Sequence, residues 1–207
     1  MTAVVKTPHV SLEEYLVLER AARTKSEYHD GRIFAMAGGT GPHSQVAVKI
    51  AGALDRATAA RDCHIFNSDM KLRIGENNRF CYPDVSGLCG RPEYFDETRD
   101  VLLNPSFIVE VLSKSTEAFD RGGKLALYMA LPSVVEIALV SVTEARVDKY
   151  TRQPDGIWRF DGYSGLESRV PFASLGCEIP LNEVYAGVEL DPPDPEPGIF
   201  DLPERRS

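Results

Sequence analysis

The amino-acid sequence predicts an α/β fold: a mixed β-sheet core flanked by helices on one or both faces. Two observations carry the prediction. Helical and strand patterns alternate as helix, strands, helix, strands, helix, strands. Hairpin signals also recur too often for a purely parallel array of strand–helix–strand units. Element by element, Ser11 caps a first helix to about Ala22, with Leu12, Tyr15, Leu16 and Leu18 near one side. Residues 27–36 read as a hairpin about Asp30-Gly31, a dipeptide suited to a type I′ turn. Residues 38–41 are a loop. Pro42 then opens a helix to about Ala60, with Val46, Ile50, Ala53, Leu54 and Ala57 on its apolar stripe. Residues 64–74 and 80–86 flank the polar turn Glu76-Asn77-Asn78 as a second hairpin. Residues 106–112 form a short apolar strand, and residues 117–131 a helix weakened at Gly122-Gly123. Residues 134–142, 145–151 and 157–163 form a three-stranded meander.

Length and composition set the frame. A chain of 207 residues, 43% hydrophobic and 26% charged, has the length of one domain and the apolar content for a core. Residues 1–190 are expected to form that domain. Residues 191–207 hold five of the fourteen prolines, and five acids against Arg205 and Arg206. Such a segment neither pairs into a sheet nor continues a helix, so a disordered or draped tail is expected. The net charge of −8 excludes a generally basic binder that neutralises phosphates along its whole surface. No apolar run approaches the ~20 residues needed to span a bilayer. Residues 1–10 carry no apolar signal stretch, and the expectation is a cytoplasmic protein. Cys63, Cys81, Cys89 and Cys177 show no C-x-x-C spacing, which argues against a structural zinc site and for free thiols in a reducing compartment.

Five side chains are candidates for chemistry. Glu110 lies within the apolar run Phe107-Ile108-Val109-Glu110-Val111-Leu112, where a carboxylate is costly unless paired or bound to a metal. The plain alternative is a strand-end carboxylate facing water. Asp84 follows Pro83, a residue confined to strand ends, edges and bulges, although Pro-Asp is also a common turn pair. Lys124 lies on the helix after the Glu110 strand, joined through Ser113-Lys114-Ser115-Thr116; alone it reads as a solvated lysine or an i, i+4 partner of Asp120. Glu27 begins the first hairpin, where a surface position is the ordinary reading. His43, three residues before Val46, sits on or beside a buried stripe, where a satisfied core histidine is the ordinary reading.

Taken together, the stretches SLEEYLVLE, KSEYHDGRIFAMAGGTGPHSQVAVKIAGAL, YPDVS, PSFIVEVLSKSTEAFDRGGKLALYMALPSVVEIALV and VYAGVEL form a pattern. The order P-D, E-V-L-S, D-R-x-x-K-x-x-x-Y is specific where no single piece is. The chain resembles the Uma-type restriction endonuclease family of the PD-(D/E)xK nuclease superfamily, over about residues 10–190. The resemblance implies a restriction-endonuclease-like core with an acidic metal site at its strand ends. Asp84 matches the aspartate of the P-D motif, Glu110 the second acid, Glu27 the additional acid near the N-terminus, and His43 the histidine that opens the following helix. The lysine that the superfamily carries two residues after the second acid is Leu112 here, and the resemblance moves that role to Lys124. It also implies a homodimer.

On these residue types, Asp84, Glu110 and Glu27 offer hard oxygen ligands for Mg²⁺ or Mn²⁺. Lys124 would orient or help deprotonate water and offset charge, and His43 would contact phosphate or support an acid. The expected reaction is hydrolysis of phosphodiester bonds in DNA. The negative body requires a local basic patch, with Lys49, Arg56, Arg61, Lys71, Arg73, Arg79, Arg121 and Lys124 as its candidates. Two alternatives stand beside this. One is a non-catalytic binding or assembly module on the nuclease fold, favoured if Lys124 points away from Asp84 and Glu110. The other is a hydrolase of another phosphate ester, favoured by a narrow closed pocket. A P-loop, a Rossmann fingerprint, a G-x-S-x-G elbow and an H-E-x-x-H pair are all absent.

Overall fold

Ser11 begins the folded chain by closing a reciprocal cap on the first helix, α1 (Leu12–Ala21): Glu14 N–H donates to the Ser11 hydroxyl, and Ser11 N–H donates to the Glu14 carboxylate. The structure is a computed structural model, and it describes residues 9–36, 38–75, 79–113 and 117–192. The Glu76-Asn77-Asn78 turn, residues 114–116 of the connecting loop and the tail from residue 193 lie outside the described residues.

Strands β1 (Ser26–His29) and β2 (Arg32–Ala35) form the first hairpin. Asp30 and Gly31 have φ of 49° and 85°, the left-handed pair that a type I′ turn requires. Helix α2 (Gly41–Thr58) is capped by the Thr40 hydroxyl and buries Val46, Ile50, Ala53 and Leu54. Ala57, expected on that stripe, is exposed, and Thr58 is buried in its place with its hydroxyl donating to Leu54 O at 2.8 Å.

The run at residues 64–74 is two strands. β3 (Cys63–Asn67) and β4 (Lys71–Ile74) lie in different sheets, separated by a turn at residues 68–70. The next run divides in the same way. β5 (Arg79–Cys81) pairs with β4, and β6 (Val85–Cys89) pairs with β3, with Tyr82-Pro83-Asp84 between them. Proline cannot donate into a ladder, so the chain leaves one sheet before Pro83 and enters the other after it. β7 (Val101–Leu102), the β12–β13 hairpin (Arg169–Phe172 and Cys177–Pro180) and the short helix α5 (Leu181–Val184) complete the elements beyond those read from sequence.

The larger sheet runs β11-β10-β9-β8-β6-β3, with β8 (Phe107–Val111), β9 (Glu136–Val140), β10 (Arg146–Arg152) and β11 (Trp158–Ser164). Its β8–β9 pair is parallel and its other pairs antiparallel, so the sheet is mixed as expected. The smaller sheet runs β2-β1-β5-β4-β7. Under it Tyr15 stacks on Tyr28 at 4.8 Å, and Glu19 accepts from Ser26 N–H at 3.0 Å and from the Tyr82 hydroxyl at 2.8 Å. α1 is thereby tied both to β1 and to the sheet crossover.

Every residue of β8 is buried, and its alternation assigns two faces. Phe107, Val109 and Val111 join the core under α2, with Val46, Ile50 and Leu54. Ile108 and Leu112 join the opposite core, with Leu125 and Tyr128. Glu110 belongs to that second face. The helix covering it is interrupted: α3 (Glu117–Phe119) passes through a π-turn (Asp120–Lys124) into α4 (Leu125–Met129). Gly122-Gly123 sits in the π-turn, where the sequence marks the helix as weak. Among the described residues no helix is long and apolar enough to cross a membrane.

The expectation of free thiols is corrected at two of the four cysteines. Cys63 and Cys89 are cross-strand partners on β3 and β6 and form a disulfide, while Cys81 and Cys177 are free. A separation of 26 residues carries no hint of this, because the antiparallel register alone brings the two together.

Candidate active site

The crossover between the sheets and the π-turn meet at one place. Val85 pairs with Val109 on β8, so Asp84, one residue before Val85, lies beside the end of β8. Val111 N–H donates to Asp84 Oδ2 at 2.8 Å, and this bond fixes the aspartate against the strand carrying Glu110. His43 Nε2 lies 3.3 Å from the same oxygen. His43 occupies the first turn of α2, and Gly39 passes so close that a Cβ there would lie 2.6 Å from His43 Nδ1. Glycine at that position is what lets the loop seat the imidazole.

Lys124 and Tyr128, one α-turn apart, face Glu110 together. Lys124 Nζ lies 2.8 Å from Glu110 Oε1, and the Tyr128 hydroxyl donates to the same atom at 2.5 Å. Lys124 also lies 3.5 Å from Glu27 Oε1, which accepts from Tyr82 N–H at 3.2 Å. The ammonium therefore bridges the two carboxylates. Glu110 is 3% exposed and Lys124 7%.

All five residues proposed from sequence line one cavity of about 400 Å³, with Asp120, Ser113 and Phe119 completing its wall. Met36, Gly38, Gly39, His43 and Asp84 also border a second, larger cleft of about 740 Å³ that continues toward Arg23, Lys25 and Asn67. The sequence placed neither Tyr128 nor Cys81 at the site, and gave Asp120 only as an ordinary helix partner of Lys124; Tyr128 and Asp120 were the nearer to being legible. These two lie on the same D-R-x-x-K-x-x-x-Y run as Lys124, so helical spacing was the signal for them. Nothing in sequence points from β5 to Glu27.

The electrostatics follow from an excess of acids among the described residues. Burial raises the Glu110 carboxyl to about 8; the Asp84 and Asp120 charges add to this, against the pull of Lys124. Burial opposes charge on Lys124, but Glu110 and Glu27 outweigh it and hold the ammonium above its ordinary value. Burial likewise opposes ionisation of Asp84 and Glu27. It is overcome by His43, the Val111 N–H and Lys124 for Asp84, and by His29, Lys124 and the Tyr82 N–H for Glu27, so both lie below their ordinary values. His43 is raised, chiefly by its hydrogen bond to Asp84. Asp84 and Glu110 are thus two hard anionic donors on adjoining chain segments, one of which resists ionising. Added positive charge relieves that combination, and a pair of carboxylates completed by waters suits Mg²⁺ or Mn²⁺. Among the described residues, the three ligand-type side chains with donor atoms all within 4.8 Å are Glu27, His29 and Cys81, so Glu27 groups with these rather than with Asp84 and Glu110.

Four of the eight cations named as a basic patch are committed elsewhere. Arg56 pairs with Glu183, Lys71 with Asp100, and Arg121 with Glu117 and Asp148, while Arg61 donates to Leu175 O. The cations beside the cleft are Arg23 and Lys25, with Lys25 held by Asp69 at 2.7 Å.

A mixed sheet with acids at its strand ends, facing a lysine on the covering helix, is the architecture of restriction-endonuclease-like proteins. The Uma2 family model, described as "Putative restriction endonuclease", matches residues 12–182, and the chain belongs to this family. Two proteins of Synechocystis sp. (strain ATCC 27184 / PCC 6803 / Kazusa) are similar along almost their whole length. One, slr1290, is 37% identical over 87% of this chain and 94% of its own; the other, sll1609, is 32% identical over 84% of this chain and 99% of its own. A crystal structure from Anabaena variabilis ATCC 29413, titled as a putative nuclease belonging to DUF820, superposes with a TM-score of 0.68. It covers 86% of this chain and 98% of its own at 18% identity, a likeness of fold.

Proposed function

We propose that the protein is an endonuclease that hydrolyses phosphodiester bonds in DNA with Mg²⁺ or Mn²⁺ held by Asp84 and Glu110. One observation carries the reading: in a member of a restriction-endonuclease family, Asp84, Glu110, Lys124, Glu27 and His43 line a single cavity. The bound cation would polarise a phosphate oxygen and lower the pKa of a water. Around it the chain's own groups have distinct tasks. Lys124 orients the attacking water and offsets charge growing at phosphorus, while Glu27 and Glu110 hold its ammonium in place. His43, whose hold on a proton is strengthened by Asp84, offers a donor to a phosphate entering from the larger cleft. Tyr128 fixes the rotamer of Glu110. Arg23 and Lys25 lie where the neighbouring phosphates of a strand would run. The proposal includes a homodimer, whose two copies would build a broader groove than one, and a cytoplasmic place of action.

The deciding experiment pairs calorimetric titration of Mg²⁺ and Mn²⁺ with a nicking assay on supercoiled plasmid, for wild type and for Asp84→Asn with Glu110→Gln. Cation binding and nicking that both disappear in the variant are expected. Equal behaviour of the two proteins would overturn the reading. A second reading, hydrolysis of a smaller phosphate ester, draws on the depth of the site, since Glu110 and Lys124 are almost wholly enclosed. Cation binding without nicking, together with hydrolysis of a small diester to its monoester and alcohol, would favour it. Light scattering of the full chain reads the dimer.

A further inference from the structure

We propose that Glu27, His29 and Cys81 form a binding site for a thiophilic divalent cation of the zinc class, separate from the Asp84–Glu110 pair. β1 and β5 are antiparallel neighbours, with His29 opposite Arg79 and Tyr28 opposite Phe80. Glu27 and His29 are two apart on β1 and share one face; Cys81 reaches that face from β5. His29 Nε2 is the centre of the group. It lies 3.7 Å from Cys81 Sγ and 3.5 Å from Glu27 Oε2, and the three donor atoms are mutually within 4.8 Å.

Those separations also fit a metal polyhedron. A neutral imidazole nitrogen carries at most one proton, so Nε2 serves only one of its two neighbours well; its 3.7 Å contact with sulfur is within hydrogen-bond reach, and its 3.5 Å contact with Glu27 is longer than a well-formed hydrogen bond. Zinc binds sulfur at about 2.3 Å and nitrogen or oxygen at about 2.0 Å. Tetrahedral angles then place sulfur and nitrogen about 3.6 Å apart, and nitrogen and oxygen about 3.3 Å apart, on the same constants. The Sγ–Nε2 and Nε2–Oε2 separations are within a few tenths of an ångström of these values, and the Cys81–Glu27 edge lies within 4.8 Å. Cys–His–carboxylate donors with water in the fourth position are a zinc-type set, whereas Mg²⁺ and Ca²⁺ have little use for a thiol.

Glu27 divides its oxygens between the two sites. Oε1 faces Lys124 and Tyr82 N–H, and Oε2 faces His29. A cation at Oε2 therefore leaves the Lys124 contact in place. Phe34 and Phe119 flank the imidazole at ring separations of 5.0 and 6.3 Å. The Cys81 thiol loses its proton to solvent on binding, so uptake releases acid. The site does not depend on the nuclease reading.

Co²⁺ is the probe, because it occupies zinc sites and reports thiolate ligation by a charge-transfer band in the near ultraviolet. The full chain, without added thiol, is titrated with Co²⁺. One equivalent is expected to develop the band, Zn²⁺ to abolish it and Mg²⁺ to leave it intact. Cys81→Ser, close to isosteric, should remove the band, and His29→Gln, at a partly exposed position, should weaken binding more than about tenfold (~1.4 kcal/mol). Cys177→Ala is the control for the other free thiol and should retain the band, as should Asp84→Asn with Glu110→Gln. Circular dichroism checks that each variant is folded. Absence of the band in wild type, its persistence in folded Cys81→Ser, or its loss in the Asp84–Glu110 variant would overturn the proposal.

Discussion

Glu136 and Glu110 occupy the same kind of sequence and have opposite fates. Each is a carboxylate in an apolar strand: Glu136-Ile137-Ala138-Leu139 on β9, and Ile108-Val109-Glu110-Val111 on β8. Each is buried and each meets a buried lysine. Glu136 is closed. Its oxygens accept from Lys149, from the N–H groups of Ala173 and Ser174 at 2.9 Å, and from the Ser174 hydroxyl, while Lys149 donates onward to Pro171 O. This network pins the β12–β13 hairpin to the large sheet. Glu110 instead borders a cavity beside Asp84, with acids outnumbering cations among the described residues around it. A buried carboxylate is therefore not itself a functional signal. What separates the two is whether the protein completes its coordination or leaves charge for something else to complete.

Breaking the closed cluster should have the largest structural effect. Lys149→Met strands a buried carboxylate and should cost about 3–5 kcal/mol in denaturant unfolding, whereas Glu110→Gln, in a site that resists ionising, should unfold near the wild-type midpoint. Lys124→Met should separate the regions by function. Plasmid nicking should fall about 10²–10⁴-fold, with a far smaller loss of stability than Lys149→Met.

The pH dependence sharpens the contrast. The folded pKa of Glu110 stands above its ordinary value, so its stabilising contribution is complete below about 4.5 and is lost as pH rises through about 8. Metal-free protein should thus melt lower at pH 9 than at pH 6, Glu110→Gln should lose this part of the slope, and Mg²⁺ or Mn²⁺ should restore the alkaline loss in wild type. Asp84 and Glu27, both lowered, contribute stability above the ordinary carboxylate range that is lost as pH falls below it. A smaller effect than that of Lys149→Met is expected from Tyr128→Phe, which removes one donor to Glu110 at a cost of about 1–2 kcal/mol, read by thermal melting together with reduced nicking.

Local chemistry alone determined much of this molecule. The Ser11 cap, the Asp30-Gly31 turn, the buried stripe of α2, the apolar β8 strand and the weak point at Gly122-Gly123 are each set by a few neighbouring residues, and each was legible in sequence. Asp84, Glu110, Lys124, Glu27 and His43 were legible as a set only through the family pattern, since each alone has an ordinary structural reading. Tertiary structure decided what depends on register and on pairing between distant segments. It split both runs about residues 68–70 and 82–84 between two sheets, joined Cys63 to Cys89, drew Arg56, Lys71 and Arg121 into ion pairs, and brought Cys81 beside Glu27 and His29. It also decided that Glu136 is closed and Glu110 is not, because the groups that satisfy a buried charge come from strands and helices that sequence proximity does not identify.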